Sequence, residues 1–251
     1  MQKKIGNVCI LTIHKGDLEY LKKTIRSVDI QTLQPIKHII LAKGICNYQI
    51  QSFKKENREF IFNKNADKSV YDAMNIVKKY SRNHITIYLN SGDIFLSRNT
   101  LYYINKFNLF LNLNYVLVFT TLLRVKDIFF NIKDLYFKKK TYLPHSSFLF
   151  KNNYFNQKID FKVRFKITAD GIWMKKIISR SRDLRKIFTS IVIQNLYGQS
   201  SIPSLKTCVW RWGENPLSGI KELLKLLISK LVPISFYFLI IFCRKYNFFR
   251  K

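Results

Sequence analysis

Glycine is scarce in this chain, with 8 among 251 residues, and proline (5) and cysteine (4) are scarcer still. So little glycine leaves neither a G-x-G-x-x-G dinucleotide fingerprint nor a Walker phosphate loop, both of which need backbone to approach a phosphate where a side chain would intrude. The cysteines Cys9, Cys46, Cys208 and Cys243 are scattered, with no Cys-x-x-Cys pair and no histidine at metal-ligand spacing. That pattern excludes a disulfide framework and argues against structural zinc, and the four are expected to be buried thiols in a reducing compartment. Acidic residues are also few: 15 Asp and Glu face 44 Lys and Arg, for a net charge of +29. Charge of that size attracts nucleic acid, anionic lipid or phosphate-bearing substrates. A nucleic-acid binder concentrates its cations in a stripe or arm. Here they run from Lys3 to Lys251 with one tight cluster, Lys138-Lys139-Lys140, so no specific nucleic-acid partner is expected. Part of the charge goes with a general richness in Lys, Asn, Ile, Phe and Tyr, and the remainder fits work at an anionic membrane surface.

The length suits one substantial core, or one domain with an appendage. Met1-Gln2-Lys3-Lys4 leads into a short strand-like run interrupted by His14, Lys15 and Asp17, which does not read as a signal peptide, so a cytoplasmic protein is expected. Val8 to Ile13 is an apolar run suited to a buried parallel strand, and Leu18, Leu21, Ile25 and Val28 then recur at helical spacing. His38 to Leu41 and Glu59 to Phe62 read as further strands. Ser69 to Tyr80 carries Val70, Ala73, Met74 and Val77 on one helical face, and a strand follows from Ile85 to Leu89. On that helix, Tyr71 and Met74 suit a core or a groove lining. This alternation predicts an α/β fold with a doubly wound, mostly parallel sheet and helices on both faces. After Asp93 a helix is predicted over Leu101 to Leu111 and a strand over Tyr115 to Phe119. Short aromatic-rich pieces, partly antiparallel, are expected between Arg124 and Phe150, and a helix after Asp170 with Ile172, Trp173, Ile177 and Ile178 as its apolar face.

The carboxyl-terminal part, residues 216–251, reads as a helical tail separate from the domain of residues 1–215. Leu217, Ile220, Leu223, Leu224, Leu227, Ile228 and Leu231 form an apolar stripe opposite Lys221, Glu222, Lys225, Ser229 and Lys230. The nearly apolar run from Leu231 to Cys243 contains Pro233 and falls short of the roughly 20 residues a helix needs to cross a bilayer. An amphipathic segment lying in the membrane interface, closed by Arg244-Lys245 and Arg250-Lys251, accounts for both stripe and charge. The alternative is a stripe packed on the domain itself.

One stretch is marked out for chemistry. The strand Ile85 to Leu89 runs into Asn90-Ser91-Gly92-Asp93, which delivers a carboxylate to the carboxyl edge of the sheet, where open α/β folds bind ligands. Gly92 permits a tight turn, and Asp93 can hold a divalent cation against a substrate phosphate; the same tetrapeptide also serves as an ordinary turn. Together with Leu11 to Asp17, Leu21 to Val28 with Gln31-Thr32, and Asp67-Lys68-Ser69-Val70-Tyr71-Asp72-Ala73-Met74-Asn75, this order of motifs resembles the family 2 nucleotide-sugar glycosyltransferases. These are inverting enzymes of the GT-A fold, here similar to the bacterial branch that builds capsule, O-antigen and exopolysaccharide. The resemblance spans residues 5 to 100 and extends more loosely to Pro144-His145-Ser146-Ser147 and Thr168-Ala169-Asp170.

The resemblance implies a nucleotide-diphosphate sugar donor, a glycan acceptor that is lipid-linked, a divalent metal (Mn or Mg) and a place on the inner face of the cell membrane. It makes Asp93 the metal ligand and Asp170 the general base, while Thr12, His14, Asp67, Asp72, Asn75 and Asn90 border the donor and His145 lies on the acceptor side. Read by residue type alone, Asp170 serves equally as a helix cap, Asp72 and Asn75 as a solvated helix edge, and His145 as a loop hydrogen-bonding group or a metal ligand. The chain departs from the family after its second strand: relatives carry Asp-Gly-Gly-Ser-x-Asp-Gly, and this chain has Ala42-Lys43-Gly44-Ile45-Cys46-Asn47, without the acids. Ser69 stands where glycine is common, and Asn90 leaves Asp93 as the motif's only carboxylate.

Overall fold

The first strand shows why the chain folds in two layers around a sheet. Along β1 (Val8–Lys15) every residue but the last is buried, and the side chains alternate. Cys9, Leu11 and Ile13 enter one core; Val8 and Ile10 enter another on the opposite face. A strand buried on both sides belongs in the middle of a parallel sheet covered by helices. The computed structural model of the protein, which describes residues 6–62, 69–112, 114–125, 128–131, 144–166, 168–195 and 205–231, has this arrangement.

β1 pairs in parallel with β2 (Lys37–Lys43) and β4 (Ile85–Tyr88), and β2 pairs in parallel with β3 (Arg58–Phe62). The short β5 (Ile94–Phe95) follows β4 in the chain. β4 is then joined by an antiparallel β8 (Phe148–Lys151), which pairs with β6 (Val116–Val125). β6 carries β7 (Ile128–Asn131) antiparallel and β9 (Leu184–Asn195) parallel, and β9 closes onto β5. The sheet order is β3-β2-β1-β4-β8-β6-β9-β5, a mixed α/β sheet.

Helices cover both faces. On one, α1 (Leu18–Asp29) begins where the Asp17 side chain accepts from the Glu19 N–H, and it buries Leu21, Thr24, Ile25 and Val28. A short α2 (Asn47–Ile50) precedes β3. On the other face α3 (Val70–Lys78) starts at Ser69, whose hydroxyl caps the Asp72 N–H, giving that non-glycine residue a local reason. The helix expected over Leu101 to Leu111 is divided into α4 (Thr100–Asn105) and α5 (Asn108–Asn112). Two i→i+3 bonds, Lys106 to Tyr103 and Phe107 to Ile104, tighten the last turn of α4 and end it. After α6 (Tyr154–Gln157) comes α7 (Ala169–Arg180). It is seated by Trp173, which stacks on Phe161 at 4.4 Å, meets Tyr88 and Phe150 edge-on, and donates its indole N–H to the Ile159 carbonyl at 2.8 Å.

Two helices end the described chain, α8 (Leu205–Glu214) and α9 (Pro216–Leu231). Of the expected α9 stripe, Leu217, Ile220, Leu223, Leu224 and Leu227 are exposed. No helix of the described residues is long and apolar enough to cross a membrane. The run after Leu231 lies outside the described residues. Cys9 and Cys208 are buried as expected, but Cys46 is exposed, because it sits in the turn after β2 that starts α2.

Candidate active site

β1 and β4 end side by side, and their ladder continues into the turn: Leu89 N–H donates to the Leu11 carbonyl and Ser91 N–H to the Ile13 carbonyl. Gly92 then adopts φ +97°, a left-handed conformation that turns the chain so that Asp93 faces inward. α1 grips this turn through Thr24, whose hydroxyl accepts from the Gly92 N–H at 2.9 Å and donates to the Asp93 carbonyl at 2.8 Å. β9 grips it from the far side, the Asn195 N–H donating to Asp93 Oδ1 at 3.1 Å. Asp93 is left 4% exposed. Burial pushes its carboxyl up to about 7, against the opposing pull of His145 and of the N–H groups at Asn195 and Asn90.

His145 is brought in by the turn after Pro144. Its Nε2 lies 2.9 Å from Asn90 Nδ2, and its Nδ1 lies 3.7 Å from Asp170 Oδ2. Burial disfavours the imidazolium, yet Asp170 and Asp93 outweigh it and hold His145 above its ordinary value. Asp170 sits in the first turn of α7, with Thr168 at the cap position, so the helix begins earlier than the sequence suggests. Asp170 Oδ1 accepts from the Gly171 N–H at 2.7 Å and lies 3.5 Å from the Tyr71 hydroxyl on α3. The Asn90–Asp93 turn, His145 and Asp170, which stand far apart in sequence, thus share one edge of the sheet. A protonated His145 needs an acceptor at Nε2, and turning the Asn90 amide over supplies its otherwise unpartnered buried Oδ1.

The remaining expected donor residues stand differently. His14 is buried at the end of β1, Nδ1 2.8 Å from the Ser91 hydroxyl and Nε2 without a partner; burial lowers its proton affinity. Thr12 is fully buried, donating to the Leu89 carbonyl at 2.8 Å with His38 Nε2 at 3.0 Å, so it supports the motif from beneath. Asn75 spends both polar atoms on the backbone of Phe161, accepting from its N–H at 2.8 Å and donating to its carbonyl at 3.0 Å. Asp72 lies in the first turn of α3, and Asp67 lies outside the described residues. Two residues that sequence reasoning passed over matter here, Thr24 and Asn195, and Tyr71, expected in a core or groove lining, reaches Asp170. A hydroxyl on the apolar face of α1 was the available signal for Thr24; nothing in the sequence marks Asn195, because β9 itself carries no clear strand pattern.

Among the described residues no three His, Cys, Asp or Glu side chains gather to hold a cation. A Mg²⁺-type ion bound with a substrate diphosphate needs only one or two carboxylates. A desolvated Asp93 fits that smaller demand, with Asn90 beside it engaged by His145.

Comparison with solved structures shows the class of fold. This is a glycosyltransferase fold of the GT-A type. Residues 1–349 of TarS from S. aureus in complex with UDP superimpose with a TM-score of 0.62 at 9% identity, over 89% of this chain and 71% of that one. The same protein with UDP-GlcNAc gives 0.64 at 9% identity, over 82% and 64%. The mannosyltransferase PcManGT from Pyrobaculum calidifontis, in complex with GDP-Man and Mn²⁺, gives 0.54 at 9% identity, over 88% and 64%. No family model matches the chain, and no curated protein matches it by sequence.

Proposed function

We propose that the protein is an inverting glycosyltransferase of cell-surface polysaccharide biosynthesis, peripheral to the cytoplasmic face of the membrane. It transfers a sugar from a nucleotide-diphosphate donor to a hydroxyl of a lipid-linked glycan. The reading is supported by one observation above all: Asp93, at the edge where β4 ends, and Asp170, on α7, flank His145, which lies 2.9 Å from Asn90 and 3.7 Å from Asp170. In the proposed reaction the acceptor oxygen attacks the anomeric carbon as the bond to the diphosphate breaks, and Asp170 takes the hydroxyl proton. His145, 3.7 Å from its carboxylate, orients Asp170. Asp93 would hold a divalent metal, which would supply positive charge to the departing diphosphate, and Asn90, held by His145, borders the donor. His14, at the end of β1, and Asp72, in the first turn of α3, are assigned to the donor side, as is Asp67. The exposed apolar stripe of α9 is the membrane contact.

The loop at 42–47, which carries Lys43 and no acid, favours a second reading, a basic binding protein on the same fold without catalysis. Thermal-shift binding of a panel of nucleoside diphosphates, each with and without Mn²⁺ or Mg²⁺, separates the two, since a ligand of the folded state raises its apparent stability. A metal-dependent shift with one nucleotide supports the transferase. No shift with any nucleotide favours the binding protein.

A further inference from the structure

The segment that leads into α7 meets α8 at a cavity of about 450 Å³, lined by Arg164, Phe165, Lys166, Val209, Trp210 and Gly213. Its walls are of two kinds. Arg164 and Lys166 are exposed, and neither has a carboxylate partner among the described residues; Arg164 lies over the Phe165 ring at 4.9 Å. Phe165, Trp210 and Val209 present apolar and aromatic surface beside them. Two uncompensated cations against an apolar wall complement an amphiphile: a phosphate joined directly to hydrocarbon.

The surroundings continue that pattern. α8 and α9 form one hairpin, its corner set by the Asn215 side chain, which accepts from the Leu217 N–H at 2.9 Å. The two helices approach so closely at Gly219 that a Cβ there would lie 2.7 Å from the Trp212 backbone. The apolar stripe of α9 is thereby held rigidly next to the helix that lines the cavity, with Leu223 42% and Leu227 53% exposed. On the other side, Lys166 precedes Asp170, in the first turn of α7, by four positions in the chain.

We propose that this cavity receives the phosphate of a polyprenyl-phosphate-linked acceptor, with the hydrocarbon passing onto α9 and the glycan directed toward Asp170. The inference rests on the transferase reading and names how its acceptor is held. Arg164 and Lys166 supply charge-assisted bonds to the phosphate, and Phe165, Val209 and Trp210 cover the first carbons of the lipid.

The test uses the full chain and the Arg164→Ala/Lys166→Ala double variant, both of whose changes are on exposed side chains. Sedimentation is measured with phosphatidylcholine vesicles carrying a long-chain polyprenyl phosphate, and with vesicles matched in charge by phosphatidylglycerol. The wild type is expected to prefer the polyprenyl phosphate vesicles by on the order of tenfold, and the double variant to lose that preference. Free inorganic phosphate at matched charge should compete weakly, since it lacks the hydrocarbon. Equal binding of the wild type to both vesicles overturns the proposal, as does an undiminished preference in the double variant or displacement by short RNA rather than by lipid phosphate. Nucleotide thermal shifts on the same two proteins report separately on the donor site: they stay unchanged in the variant if the transferase reading holds, and are absent from both if that reading fails.

Discussion

Asp93 carries a stability penalty that its proposed function explains, and the penalty is measurable. In the unfolded chain its carboxyl ionises near the ordinary 3.8, whereas in the fold it holds its proton to about 7, because burial disfavours the anion. The native state therefore binds more protons than the unfolded state between these values, and stability falls as pH rises across that window. Below 3.8 both states are protonated and nothing is lost; above about 7 the loss is complete. At about 1.36 kcal/mol per pH unit the interval amounts to on the order of 4 kcal/mol. Asp93→Asn keeps an oxygen that can accept from the Asn195 N–H and removes the ionisation. His145, raised as well, loses its own contribution in the same direction, so the wild-type curve alone does not isolate Asp93. Urea unfolding of both proteins from pH 4 to 8 gives the comparison: the variant is expected to gain on the wild type steadily as pH rises. Adding Mn²⁺ with a nucleoside diphosphate at pH 8 should restore the wild type and leave the variant unmoved. Parallel pH profiles for the two proteins would refute the argument, since they would mean that Asp93 is neither desolvated nor raised.

Asn75→Ala removes two bonds to Phe161 and should cost about 2–3 kcal/mol by urea unfolding, the backbone groups of Phe161 being left without their partner. An unchanged midpoint together with a lost nucleotide shift would instead make Asn75 a donor ligand. Asp170→Asn should abolish glycosyl transfer while preserving the nucleotide thermal shift; near-normal turnover in that variant removes Asp170 from the role of base. Serine at Leu223 and Leu227 should weaken sedimentation with anionic vesicles, and unaltered sedimentation would take α9 off the membrane.

The parallel half of the sheet was legible because its elements are written locally. β1 is a continuous apolar run, α1 and α3 repeat their apolar residues at helical spacing, and the Gly92 turn is chemistry within a few residues. β9 was not legible: its amino-terminal half is largely exposed, and its apolar residues follow no single period, since β6 on one side and β5 on the other bury different parts of it. The same division runs through the site. The sequence alone determined that Asp93 follows a strand at the carboxyl edge of the sheet, and the family resemblance made His145 and Asp170 candidates for chemistry. Only the tertiary structure decided that Asn90, His145 and Asp170 meet, that Asn195 holds Asp93, and that Asn75 is occupied by the backbone of Phe161. Those are contacts between residues 25 to about 100 positions apart, made by crossovers and helix packing, and no local pattern of side chains encodes which atoms such packing will bring within hydrogen-bond reach.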